Sequence, residues 1–95
     1  MPLTIIAQIV AAPGKMQHVS TELQKLVAPT RAEAGCIQYD LHQDNEDPAV
    51  FVFFEIWESR ALWQDHMNSE HIRAYGEATS GAISHFALNE MTHIA

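Results

Sequence analysis

In the stretch from Glu55 to Tyr75, Glu55, His66 and His71 are the side chains best placed to move protons. A histidine titrates near neutrality, so His66 or His71 can take a proton from a phenolic or quinol hydroxyl. His66 follows Leu62 by four residues, which puts both on the same inward side of a helix. His71 falls near the start of a following helix, where the positive helix end disfavours a charged imidazole. Each has a plainer reading: His66 as a core histidine satisfied by a backbone carbonyl, His71 as an exposed residue at a helix start. Glu55 adjoins aromatic residues on a strand, and a carboxylate in an apolar wall needs a partner or a raised pKa. It either orients a histidine or pairs with Arg60. The rings of Tyr39, Trp57 and Tyr75 can stack on a planar substrate or simply pack in the core. His42 joins them as a substrate contact and as a reserve base.

Metal binding is not expected. On one continuous helix, the five residues from His66 to His71 turn through about 500°, leaving the side chains ~140° apart. A break at Ser69 would let them converge, but the chain has neither a His-x3-His ladder nor a cysteine pair. Cys36, the only cysteine, excludes an internal disulfide and reads as a small buried hydrophobe with nothing basic beside it to lower its pKa. No Gly-rich nucleotide loop is present either, so the expected cofactor complement is none.

Such residues need elements to hold them. Residues 3–11, LTIIAQIVA, are rich in Ile and Val and stop at Pro13-Gly14, a strand covered on both faces by its mostly apolar run. Met16, Val19, Leu23, Leu26 and Thr30 then recur at helical spacing, with Pro29 either kinking that helix or restarting it in a new first turn before Gly35. Residues 36–43 and 49–58 flank Asp44-Asn45-Glu46-Asp47-Pro48 and form a hairpin. With odd positions paired to even ones, Ile37, Tyr39 and Leu41 share the core with Val50, Val52, Phe54 and Ile56. The opposite face, with Phe51, Phe53, Glu55 and Trp57 beside Cys36, Gln38, Asp40 and His42, becomes a subunit contact or pocket wall. Ser59 and Ser69 are N-caps for two short helices. After Gly81, residues 84–94 alternate as a last strand. The order βαββααβ gives an α+β, ferredoxin-like fold: a four-stranded antiparallel sheet with helices on one face.

Ninety-five residues make a single domain, 1–95, with a modest core that an oligomer would enlarge. Twelve acids against five scattered bases, a net charge of −7, argue against nucleic acid, because neutralising phosphates takes a clustered positive surface. No apolar run approaches the ~18 residues of a membrane span. The N-terminus lacks the basic and apolar regions of a secretory signal, so a cytoplasmic location is expected.

The turn APGK at Ala12–Lys15, the run APTRAEAGCIQYDLHQD from Ala28 to Asp44, and FVFFEIWESRALWQDHMNSEH from Phe51 to His71 resemble the antibiotic biosynthesis monooxygenase family, which includes small cofactor-independent quinol monooxygenases. The likeness runs over almost the whole chain. It implies a homodimer in which two four-stranded sheets form an α+β barrel, and a reaction in which a small aromatic hydroxy compound meets O2 without a cofactor. A haem-degrading branch resembles the same fold but relies on an Asn, a Trp and a His. Ala7, His66 and Gly76 stand near those positions and none matches. A sugar-phosphate isomerase of this fold would need cations around a phosphate. A non-catalytic dimer that binds a small aromatic ligand is the alternative from outside the enzymes.

Overall fold

The computed structural model describes residues 2–95. Alternation decides its sheet. In β1 (Leu3–Ala11), Ile5, Ala7, Ile9 and Ala11 are buried while Thr4, Ile6, Gln8 and Val10 between them are not. β1 pairs antiparallel with β3 (Val50–Trp57) on one side and β4 (Ile83–Met91) on the other, and β2 (Cys36–Gln43) closes the sheet against β3 in the order β2-β3-β1-β4. Helices lie on one face only. The expectation that β1 is covered on both faces is therefore corrected for the single chain.

The hairpin register differs from the expected one. Odd residues pair with odd: Tyr39 with Glu55, Leu41 with Phe53 and Gln43 with Phe51. The connecting turn sets this parity. Asp44 donates its amide to the Val50 carbonyl at 2.9 Å, and the Asp44 and Asp47 carboxylates accept from the amides of Glu46 and Ala49 at 2.8 and 3.1 Å. Since a one-residue slip exchanges the faces of a strand, Phe51, Phe53, Glu55 and Trp57 face the helices and are buried. The uncovered face instead carries Val50, Val52, Phe54 and Ile56, with Asp40 and His42 opposite Phe54 and Val52. A register shift between Cys36 and Gln38 removes Ile37 from the apolar row and leaves it 54% exposed.

The helical pattern divides into α1 (Met16–Lys25) and α2 (Val27–Arg31), with Pro29 in the first turn of α2, where its missing N–H costs little. Val19, Leu23, Leu26 and Thr30 are the buried members of the stripe. Ser59 caps α3 (Arg60–Met67) by accepting from the Leu62 amide at 3.2 Å, and Ser69 caps α4 (Glu70–Ala78) from the Ile72 amide at 3.4 Å. Asn68, at a non-helical C-cap, separates the two. Among the described residues, no helix is long and apolar enough to cross a membrane.

Candidate functional site

A cavity of about 100 Å³ lies between the sheet and the helices. Ala7 and Ile9 of β1, Leu23 and Leu26 at the end of α1, Ile72 of α4 and Leu88 of β4 give it an apolar wall. Tyr39, Glu55, His66 and Tyr75 supply its polar atoms, the combination usual for a small-molecule site. Phe86, 54% exposed, stands on the cavity wall near the sheet edge. Four of the seven expected site residues thus line one cavity.

His66 is 2% exposed and wedged among rings. Trp57 lies 4.7 Å from it, centroid to centroid, and Tyr39 packs edge-on at 5.5 Å while stacking on Phe53 at 4.4 Å. Trp57 is fully buried behind His66, so its ring shapes the wall from beneath. Its indole N–H donates to Glu55 Oε1 at 3.0 Å. Glu55 therefore does not pair with Arg60, which instead makes a two-pronged contact with Glu90 at 2.7 and 3.3 Å. Nor does Glu55 hold a histidine.

That role falls to Glu33, in the loop after α2. Its Oε2 accepts from His66 Nδ1 at 2.7 Å and from His71 Nε2 at 2.8 Å. The break at Asn68–Ser69 re-aims α4, so the two histidines that one straight helix would splay apart meet at this carboxylate, with their rings 6.0 Å apart. His71 reaches the site only through Glu33. His42 does not belong: it is exposed on the uncovered face of β2, opposite Val52. Composition gave no signal for Glu33, one of twelve acids. Its position becomes meaningful only when α2 and α3 are packed.

The electrostatics separate the groups. Burial lowers the pKa of His66 below its usual 6.5, partly opposed by the Glu33 hydrogen bond and charge, so the imidazole is neutral at pH 7. With Nδ1–H given to Glu33, the lone pair sits on Nε2. Burial raises Glu55 to about 7, opposed by the Trp57 hydrogen bond and reinforced by Glu33. Burial, followed by the Glu55 charge, raises the Tyr39 phenol, and burial raises that of Tyr75. Both tyrosines are hydroxyl donors at neutral pH. Burial and then the charges of Glu33 and Glu55 also push the half-buried Cys36 thiol up, leaving it unreactive.

The family model described as "Antibiotic biosynthesis monooxygenase" matches residues 2–78. The crystal structure of PA3566 from Pseudomonas aeruginosa is 41% identical in sequence, with a TM-score of 0.95 over 99% of this chain and 95% of that one. The Escherichia coli K12 protein named "Probable quinol monooxygenase YgiN" is 33% identical over 91 residues, covering 85% of this chain and 88% of its own. A Synechocystis relative, sll1783, is 29% identical over 83 residues, and the match spans 87% of this chain but only 56% of that longer protein.

Proposed function

The chain belongs to the antibiotic biosynthesis monooxygenase family, and from that premise we propose that it is a cofactor-independent monooxygenase acting on a small aromatic hydroxy compound, quinol-like, with O2. The observation that carries this reading is the Glu33–His66 pair at the wall of an apolar cavity. Glu33 fixes the tautomer and His66 Nε2 takes the hydroxyl proton, as a carboxylate-oriented imidazole does in other general-base sites. The resulting anion is electron-rich enough to reduce O2 itself. The substrate loses two hydrogens and gains one oxygen atom, and the second oxygen leaves with those hydrogens as water. The protein's part is the base, the orientation and the exclusion of water.

Tyr39 and Tyr75 are proposed as hydroxyl donors to the substrate. Burial raises Glu55 to about 7, so near pH 7 a good part of it is protonated, which limits the second negative charge beside the anion being formed. Trp57 and Phe53 brace the ring planes of His66 and Tyr39. The cavity is smaller than the ~300 Å³ of a typical ligand pocket, so substrate entry requires displacement of half-buried Tyr75 or exposed Phe86. A homodimer is part of the proposal, with the uncovered sheet face as its contact, and so is a cytoplasmic setting consistent with a lone unpaired Cys36.

The test is oxygen uptake by chelator-treated, flavin-free protein given a naphthoquinol. One O2 consumed per quinol, above the rate of autoxidation, is the expected result. Saturable quinol binding with no uptake would make the chain a carrier or sensor instead.

A further inference from the structure

Glu33, His66 and His71 present one carboxylate oxygen and two imidazole nitrogens that all lie within 4.8 Å of one another, the only such group of metal-binding side chains among the described residues. The three come from separate pieces of backbone: the loop after α2, the last turn of α3 and the first turn of α4. We propose that these three side chains form a binding site for a divalent transition-metal ion of borderline softness, of which Zn(II) is the type, and that occupation switches the base off.

The donor set favours such an ion. Two neutral imidazoles and one carboxylate suit Zn(II), Co(II) and Ni(II), and three protein ligands leave room for water. The distances allow it as well. Metal–ligand bonds of about 2.1 Å in a tetrahedron put donor atoms about 3.4 Å apart, against 2.7 and 2.8 Å here. The two oxygen–nitrogen separations must open by roughly 0.6–0.7 Å and the two nitrogens, which lie within 4.8 Å of each other, must settle near the same spacing, movements open to the partly exposed Glu33 and His71. Charge acts in the same direction: the ion offsets the Glu33 carboxylate on a chain of net −7. Two histidines that share a carboxylate only to hold α3 and α4 together would make the same contacts, and stoichiometric metal binding is what distinguishes a site from such a brace.

The inhibitory consequence rests on the base role assigned to His66 above. A metal at Nδ1 displaces the proton that Glu33 held there, and a neutral imidazole ligated through Nδ1 carries its hydrogen on Nε2. Nε2 then donates rather than accepts, and no base faces the cavity. No proton is gained or lost by the ring, only moved from one nitrogen to the other.

Untagged, chelator-stripped protein titrated with Co(II), read by its visible d–d absorption, and with Zn(II), read by calorimetry, tests the site without reference to turnover. One ion per chain, with low-symmetry Co(II) bands, is expected. Glu33→Gln and His71→Ala should each weaken binding at least tenfold, and His93→Ala, an exposed histidine near the C-terminus, should not. Absence of stoichiometric binding, or affinity unchanged in both Glu33→Gln and His71→Ala, overturns the site. In the quinol assay Zn(II) should suppress turnover in parallel with occupancy. Turnover that rises with occupancy would overturn the switch while leaving the site standing.

Discussion

At the scale of single residues, reactivity depends on which group holds which proton. His66 acts only when deprotonated, and burial lowers its pKa, so turnover should rise with pH through a limb below the usual histidine value and then level off. Glu33→Gln removes the group that raises the His66 pKa, which moves the limb to still lower pH. The plateau should fall by roughly 10- to 100-fold, the usual cost of losing a carboxylate that orients an imidazole. A pH–rate series on both proteins checks the two effects together. Glu55 makes a separate test. Its folded pKa of about 7 exceeds the 4.5 of an ordinary glutamate, so its contribution to stability is complete below pH 4.5 and is lost as pH rises through 7, on the order of 3 kcal/mol. Glu55→Gln keeps an acceptor for the Trp57 indole and cannot ionise. In urea melts from pH 5 to 8 the wild type should lose stability relative to the variant as pH rises. These roles were partly legible in the sequence. Glu55 on an aromatic strand and His66 on the inner side of a helix follow from spacing, whereas Glu33 reaches His66 across 33 residues of sequence, a separation to which no local pattern points.

Elements decide whether those residues meet. Ser59 and Ser69 announced both helix starts, because a hydroxyl that satisfies an early orphan amide is a local signal. Ser69→Ala should cost about 0.5–1 kcal/mol by thermal melting and loosen the His71–Glu33 contact. Gly35 is less replaceable. It has φ +85°, and a Cβ there would stand 2.5 Å from Leu62 Cδ1 and 2.8 Å from Leu62 Cβ. Gly35→Ala should therefore push α3 outward, destabilise by about 2 kcal/mol or more, and lower turnover by parting His66 from Glu33. The hairpin register was one element-level expectation that failed, beside the two-sided cover of β1. β3 is apolar on both sides, so alternation alone did not distinguish its core face. The closing turn of Asp44 to Val50 carries that information in its hydrogen bonds, not in its hydrophobicity.

For the whole molecule, the corrected register relocates the proposed dimer contact. Ile6, Val10, Val52, Phe54 and Ile56 lie on a sheet face that no helix covers, while the aromatic Phe51, Phe53 and Trp57 are already buried within the chain. Phe54→Asp should produce monomers in light scattering with the helical spectrum retained, and Ile37→Asp, exposed and outside that face, should not. The element order and layer arrangement were readable because each element carries its own period, and the long matching runs had marked the family. What the sheet's second face packs against, and which acid serves the histidine, depend on contacts distant in sequence. If His66, poised by Glu33, is the base of a cofactor-free oxidation, the turnover of His66→Gln with a naphthoquinol and O2 reports on it most directly. A fall of roughly 10²–10⁴ with the fold intact is expected, since Gln can keep a hydrogen bond but cannot take a proton. Near-normal turnover with an unchanged pH profile would contradict it and return His66 to the core.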